Sequence, residues 1–365
     1  MGLAANSFID AARYDYANKY KKWTSESNNT GTQDVGLYGR EGRRGHRIHM
    51  NNVTGPPFTN HFGKTIAPTD NYCAMSFAHR RSALSGNTIV FAQVFGTGPF
   101  SFLGLAWNQD STISLIQGEW GFFGATVLAI STSSYNIGDF NHFEWHSDFA
   151  VSGTSKLYVN GGSVPVIDYA GNINNAQWTH GSLGMTAYNN IGEYSAADFD
   201  YCDFILRDGS VQVYIDNVLL GAHDPWGDTR VYGLLSQAGN GFYTDWTPLT
   251  GTDHGDMVDD AVEDDDTTYN SALDPNSVDT YIKEDLPPDV TDVLMIQPVH
   301  VARKEFSGQA ELQSRFRTSG VDYDGDEVHS LSTTYEHIRT CYVDLNGSPI
   351  TPDDVNNGES GPIVI

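Results

Sequence analysis

Basic residues are scarce in this chain: 20 Lys and Arg stand against 46 Asp and Glu, a formal net charge of −26 over 365 residues. So acidic a chain excludes nucleic acid as a partner, because phosphate binding needs a basic face. Cysteine is also rare. The three thiols, Cys73, Cys202 and Cys341, lie far apart with no C-x-x-C spacing. That excludes a recognisable disulfide framework and leaves three buried, reduced thiols as the expectation. No apolar run approaches the roughly 20 residues needed to cross a bilayer. Residues 1–23 lack the apolar core of a secretory leader, so neither membrane insertion nor secretory export is expected.

What the chain does contain is β-forming: 39% hydrophobic and 12% aromatic residues, punctuated by 37 glycines and 14 prolines. This is enough apolar material for two domains, at 1–215 and 216–365. Residues 8–23 could form one helix, although no clean apolar stripe runs through them. Residues 39–47 are glycine-rich and basic but lack the Lys-Ser/Thr ending of a phosphate loop, and read as a turn entering a strand. From Tyr72 to Ile130 short alternating runs follow one another, separated by Gly, Pro, Asn, Asp and Ser, which predicts strands of a sandwich or barrel. Residues 140–146 alternate again, with Phe143 and Trp145 on one face and His142, Glu144 and His146 on the other. Asn160-Gly161 predicts a hairpin turn between strands at 156–159 and 163–164. The run at 197–206 is apolar on both faces and reads as the strand that closes the first domain. Beyond it, strands are predicted at 279–282, 290–303, 310–317 and 336–344.

The order Phe143-Glu144-Trp145, then Leu157-Tyr158-Val159-Asn160-Gly161-Gly162-Ser163-Val164, then the strand from Asp198 to Leu206 resembles a laminin G-like, concanavalin A-like jelly roll. That likeness covers residues 30–207. The later segments, including Val231-Tyr232-Gly233-Leu234-Leu235, Asp245-Trp246-Thr247-Pro248 and Ala302-Arg303-Lys304, resemble two-domain phage and prophage virion proteins associated with tails or tail fibres. The likeness spans most of the chain and is strongest between Tyr201 and Arg303. Ile350 stands where that family's pattern has a Trp. The resemblance implies an all-β chain in which a jelly roll is followed by a second, smaller β-sandwich. It also implies a structural, non-enzymatic component of a tail, tail tip or fibre, synthesised in a host cytoplasm and resident on the virion. Its expected partners are copies of itself, other virion proteins and a host-surface glycan. Capsid decoration or a head fibre is the alternative within the class; a glycan-degrading or glycan-binding module is the alternative outside it.

Catalytic signatures are sparse. Glycoside hydrolysis needs two carboxylates flanking the scissile bond, and no strand carries Glu, Asp and Glu at alternating positions. The nearest candidates are Glu119 and the His142/Glu144/His146 face, which reads as the solvated side of an edge-lying strand. No catalytic residue is assigned on this basis, and no glycan contact is singled out among Trp107, Trp120, Trp178 and Trp226, for which core packing is the default. No cofactor is expected; the metal candidates are calcium on Asp322, Asp324 and Asp326 in a glycine-bearing loop, a cation in the acidic tract at 253–266, and a metal on the His142/Glu144/His146 face, each set against a solvated surface as the default. Charge is also segregated. Residues 1–110 carry 11 basic and 7 acidic side chains, a net of +4, and the remainder 9 and 39, a net of −30. That split suggests Arg40, Arg43, Arg44 and Arg47 meeting the acidic tract at 253–266 of a neighbouring copy.

Overall fold

The computed structural model describes residues 8–10, 25–28, 31–40, 45–50, 53–54, 59–65, 72–82, 89–96, 101–119, 126–173, 178–187, 193–194, 197–208, 213–215, 218–220, 226–237, 239–260 and 264–365. The chain divides into two units, one formed by Asn6–Val211 with Gly221–Val231, the other by Tyr232–Ile365 with Gln212–Leu220 and Met1–Ala5.

In the first unit the strands run β1 (Phe8–Asp10), β2 (Ser25–Asn28), β3 (Gly31–Gly36), β4 (Gly45–Met50), β5 (Val53–Thr54), β6 (Thr59–Thr65), β7 (Tyr72–Arg81), β8 (Ile89–Gly96), β9 (Ser101–Trp107), β10 (Ile113–Glu119), β11 (Thr126–Ile130), β12 (Asn141–Asp148), β13 (Gly153–Val159), β14 (Ile167–Gly171), β15 (Trp178–Ala187), β16 (Glu193–Tyr194) and β17 (Ala197–Asp208). All but β5 and β16, which pair with each other, form two antiparallel sheets. One is ordered β14-β13-β12-β7-β17-β4-β3, with β1 added to β17, and the other β11-β10-β9-β8-β15-β6-β2. The two-residue alternation of each strand turns one set of side chains into the space between the sheets. Ile48, Met75, Phe77, Phe143, Trp145 and Tyr201 from the first sheet meet Phe91, Val94, Leu103, Leu105, Trp107 and Leu115 from the second in one core. Long crossovers, such as β7 pairing with β12 and β17, make this a jelly-roll sandwich.

The second unit contains β18 (Val213–Ile215), β19 (Val218–Leu220), β20 (Thr247–Pro248), β21 (Asn270–Ser271), β22 (Tyr281–Ile282), β23 (Val299–Ala302), β24 (Glu311–Thr318), β25 (Val321–Ser330), β26 (Glu336–Arg339), β27 (Asp344–Leu345), β28 (Ser348–Pro349), α1 (Pro352–Asn356) and β29 (Glu359–Val364). Its main sheet is ordered β22-β29-β24-β25, and β23 pairs with β26 as a ribbon. Leu312 on β24 and Ile338 on β26 join Leu331 in one cluster, so ribbon and sheet pack as two layers of a smaller sandwich. Phe316, Tyr342, Leu345, Ile350 and Val355 form another cluster. Ile350 thus takes the buried place for which a Trp was expected.

Several sequence expectations are corrected here. Residues 8–10 are a strand paired with β17, not the start of a helix; residues 11–24 lie outside the described residues. Asn160 and Gly161 do form a turn, both with positive φ (54° and 72°), but the returning strand begins at Ile167 rather than Ser163. Residues 290–298 are irregular, and β25 and β29, which were not foreseen, flank β24 in the sheet. The helix α1 begins as its sequence should begin one. Thr351 caps the backbone N–H of Asp354, Asp354 caps that of Thr351, and Pro352 follows the cap.

Candidate active site on the jelly-roll sheet

The residues read as a solvated face are enclosed. β12 lies inside its sheet, between β7 and β13, not at an edge. His142, Glu144 and His146 point away from the core yet are about 1% exposed or less. Two local features explain this. The β7 positions opposite them are Ala78, Ser76 and Ala74, side chains too small to rise above the sheet, so the taller β12 residues stand over a shallow floor. A segment from the end of the unit, residues 226–231, then lies across them.

The contacts form a directed chain. Glu144 accepts backbone hydrogen bonds from Trp226 N (2.7 Å to Oε1 and 2.9 Å to Oε2) and Gly227 N (3.2 Å). It also faces His146 Nε2 at 2.5 Å. With Glu144 accepting, the tautomer that suits these contacts carries its proton on His146 Nε2 and turns the Nδ1 lone pair to the Tyr72 hydroxyl. The ring of His146 is boxed by Tyr72, Tyr158 and Trp226, with centroids 6.0, 5.9 and 5.2 Å away. Carboxylate, imidazole and phenol therefore stand in the order orienter, base and proton donor.

Two residues before Glu144 on β12, His142 Nε2 meets Ser76 Oγ and Thr229 Oγ1, both at 2.8 Å, and Ser76 meets Thr229 at 2.6 Å. Burial pushes the His142 pKa down to about 4, and the nearby Arg40 adds to the shift, so this imidazole is neutral at pH 7. Arg40 pins the same segment. It donates to Asp203 Oδ2 (2.9 Å) and Thr229 O (2.7 Å) and pairs with Asp228. Asp203 is turned toward it by a bulge in β17, where the register with β7 shifts and φ is 56°. Its other oxygen accepts from Val231 N at 3.0 Å.

Other sequence candidates fall elsewhere. Asp322, Asp324 and Asp326 lie on strand β25 rather than in a turn, and two of them face arginines of β24. Arg315 binds Asp324 through two bonds (2.6 and 2.9 Å), Arg317 pairs with Asp322, and Tyr243 donates to Asp322 at 2.6 Å. The charges of Asp322 and Asp324 are thus paired, and among the described residues no group of three His, Cys, Asp or Glu side chains is arranged to hold a metal. Trp107 and Trp226 are buried; Trp120 lies outside the described residues, and Glu119 ends β10. Cys73 and Cys202 are buried and Cys341 partly so, and none forms a disulfide. Burial pushes the Cys202 and Cys341 thiols up to about 12, which makes them poor nucleophiles.

The proposed docking of basic on acidic segments is also altered. Arg40 is committed to Asp203 and Asp228, and Arg47 to Asp200 (2.6 and 2.8 Å) within its own unit. Arg43 and Arg44 lie outside the described residues. In the acidic tract, Asp253 accepts from Gly239 N and Gly255 N (2.8 and 3.0 Å), and Asp266 binds Arg303 at 2.7 Å.

A second buried group escaped sequence reading because its members are separated along the chain. In the second unit His254 Nδ1 faces both oxygens of Asp279 at 2.9 Å, and Tyr281 donates to the same carboxylate at 2.9 Å. Burial raises the Asp279 pKa against these hydrogen bonds. The packing is tight: a Cβ at Gly361 would lie 1.7 Å from Asp279 O. The group ties the 239–257 loop to β22.

No protein-family profile and no curated protein sequence matches the chain. Solved structures do resemble it. An endo-β-1,4-glucuronan lyase from the fungus Trichoderma reesei is 12% identical, with a TM-score of 0.41, over 51% of this chain and 91% of that one. An alginate lyase from Chlorella virus is 12% identical, with a TM-score of 0.39, over 52% and 96%. The GH131 β-glucanase catalytic domain from Podospora anserina is 14% identical, with a TM-score of 0.37, over 54% and 92%. At these identities the likeness is one of fold. The sequence had implied a non-enzymatic virion component of the tail or fibre type. These neighbours are polysaccharide lyases and a glucanase, and on that finding both the virion assignment and the exclusion of enzymatic activity are corrected.

Proposed function

We propose that the jelly-roll unit is a glycan-degrading module whose chemistry lies at Tyr72, Glu144 and His146. The observation that carries this reading is the Glu144–His146–Tyr72 chain, with a carboxylate on one imidazole nitrogen and a phenol on the other. Glu144 fixes the tautomer. His146 can take the phenolic proton, the resulting imidazolium faces Glu144, and Tyr72 becomes a base for a substrate C–H or O–H. Glu144 is the carboxylate this hydrogen-bonded chain presents among the described residues, and the nearby Asp203 and Asp228 are held by Arg40. The arrangement therefore favours elimination, in which the Tyr72 phenolate takes the proton from the carbon beside a uronate carboxyl, the C–O bond to the departing sugar breaks and the re-formed Tyr72 phenol protonates the leaving oxygen, over hydrolysis by paired carboxylates. Residues 226–229 cover the chain, so a substrate must displace them.

The test is incubation of the purified protein with glucuronan, alginate and a neutral β-glucan. Ultraviolet absorbance of an unsaturated product end reports elimination, and reducing-end release reports any cleavage. Cleavage of a uronate polymer with unsaturated ends is expected. Tyr72→Phe, which keeps the ring and loses the proton, should lower the rate at least ~100-fold. Glu144→Gln is the less clean variant because Glu144 also anchors the covering segment. Full activity in Tyr72→Phe, or no product from any of the three polymers, overturns the reading.

A further inference from the structure

The interior of the sandwich holds a charge that none of the described residues balances. Along β7 the inward positions are Cys73, Met75, Phe77, His79 and Arg81, so the alternation that buries apolar side chains at the start of the strand buries an imidazole and a guanidinium at its end. Arg81 has 0% exposure. None of its Nε, Nη1 and Nη2 atoms has a hydrogen-bond partner among the described residues. Its guanidinium carbon sits 5.6 Å from the centroid of the Trp107 ring, and the Nε1–H of this equally enclosed Trp is also unpartnered among them. Asp200, the carboxylate beside this end of the strand, is on the outer face and is bound by Arg47 and Arg80.

The neighbouring His79 does not supply a negative charge. It stacks on Tyr201 and Phe91, with centroids 4.4 and 5.1 Å away, and its Nδ1 donates to Asp200 O at 3.0 Å. Burial brings the Arg81 pKa down only to about 10, so at neutral pH the guanidinium is still a cation. An unpaired ion in such a medium is among the costliest features a fold can carry, and removing water without supplying a counter-charge makes it worse. Water could satisfy the N–H groups but not the charge. The crowding of Phe91, Trp107, Phe143 and Tyr201 in one close-packed core restricts any partner to a small one.

We propose that Arg81 and Trp107 form an interior site for a small monovalent anion of the halide class, with Arg81 supplying the charge and several donors and Trp107 Nε1–H a further one. The site is independent of the Tyr72–His146–Glu144 chain, which lies on the opposite face of the sheet.

Thermal denaturation of the full chain in sodium bromide and in sodium gluconate, at equal ionic strength, tests it. Gluconate is too bulky for the interior. A saturable rise in Tm with bromide is expected for the wild type and should be absent in Arg81→Met. Trp107→Phe should weaken the apparent bromide affinity about tenfold, the loss of one hydrogen bond to a charged partner. Equal melting in both salts, or a bromide response that survives in Arg81→Met, overturns the proposal. Should Arg81→Met fail to fold, bromide anomalous scattering from wild-type crystals decides the matter. A peak within hydrogen-bonding distance of the guanidinium supports the site, and water alone at that place rejects it.

Discussion

His79 and His142 occupy neighbouring strands on opposite faces of one sheet, and both are enclosed. Burial pushes their pKa values down to about 3 and about 4, from an ordinary 6.5. The unfolded chain therefore binds a proton before the folded one does as pH falls. Stability is complete above about pH 6.5 and is lost as pH drops toward 4, at up to ~1.4 kcal/mol per pH unit for each histidine. Urea unfolding of the first unit, followed by tryptophan fluorescence, should show a lower midpoint at pH 5 than at pH 7.5. His142→Gln should flatten that dependence by about half. An unchanged slope in the variant would mean that other groups govern acid unfolding.

The segment at residues 226–231 behaves as a separate element. It has no regular secondary structure, yet it is fixed by Glu144, Ser76, His142, Arg40 and Asp203. Gly227 holds a φ of 92° with open space where a Cβ would stand, so Gly227→Ala strains the backbone without a clash. That strain should cost about 1 kcal/mol. Because the segment covers the proposed active site, loosening it should help substrate entry. In the polysaccharide assay Gly227→Ala and Thr229→Val are each expected to raise kcat/KM several-fold, with the far-ultraviolet spectrum unchanged. A fall in kcat/KM in both would show that the segment builds the site instead of blocking it.

At the scale of the whole molecule, the excess of negative charge weighs most. With a net charge of −26 and a sequence pI near 4.5, self-repulsion opposes compactness at neutral pH. Its enclosed pairs, such as Arg40 with Asp203, are shielded from salt, whereas the exposed carboxylates are not. Raising the ionic strength from about 0.01 M to about 0.15 M shortens the Debye length from roughly 30 to 8 Å. Calorimetry should accordingly show a Tm several degrees higher in the second buffer. A lower Tm there would mean that attractive surface pairs outweigh the repulsion.

Alternation and turn chemistry were enough to determine, from the sequence alone, that the chain is all-β. They also located β7 to β12 and placed Phe143 and Trp145 on one face of β12 with His142, Glu144 and His146 on the other, because a strand's side-chain period is a local property. Whether that second face met water was not local. It depended on β12 lying inside its sheet, on the low floor of Ala74, Ser76 and Ala78, and on a segment some eighty residues further along the chain. Asp322 and Asp324 show the same limit: an acidic turn in sequence became a strand whose carboxylates face Arg317 and Arg315. Arg81 shows it most plainly. Its place on an inward position follows from the alternation of β7, but only the packing of the opposite sheet could leave its charge without a partner among the described residues.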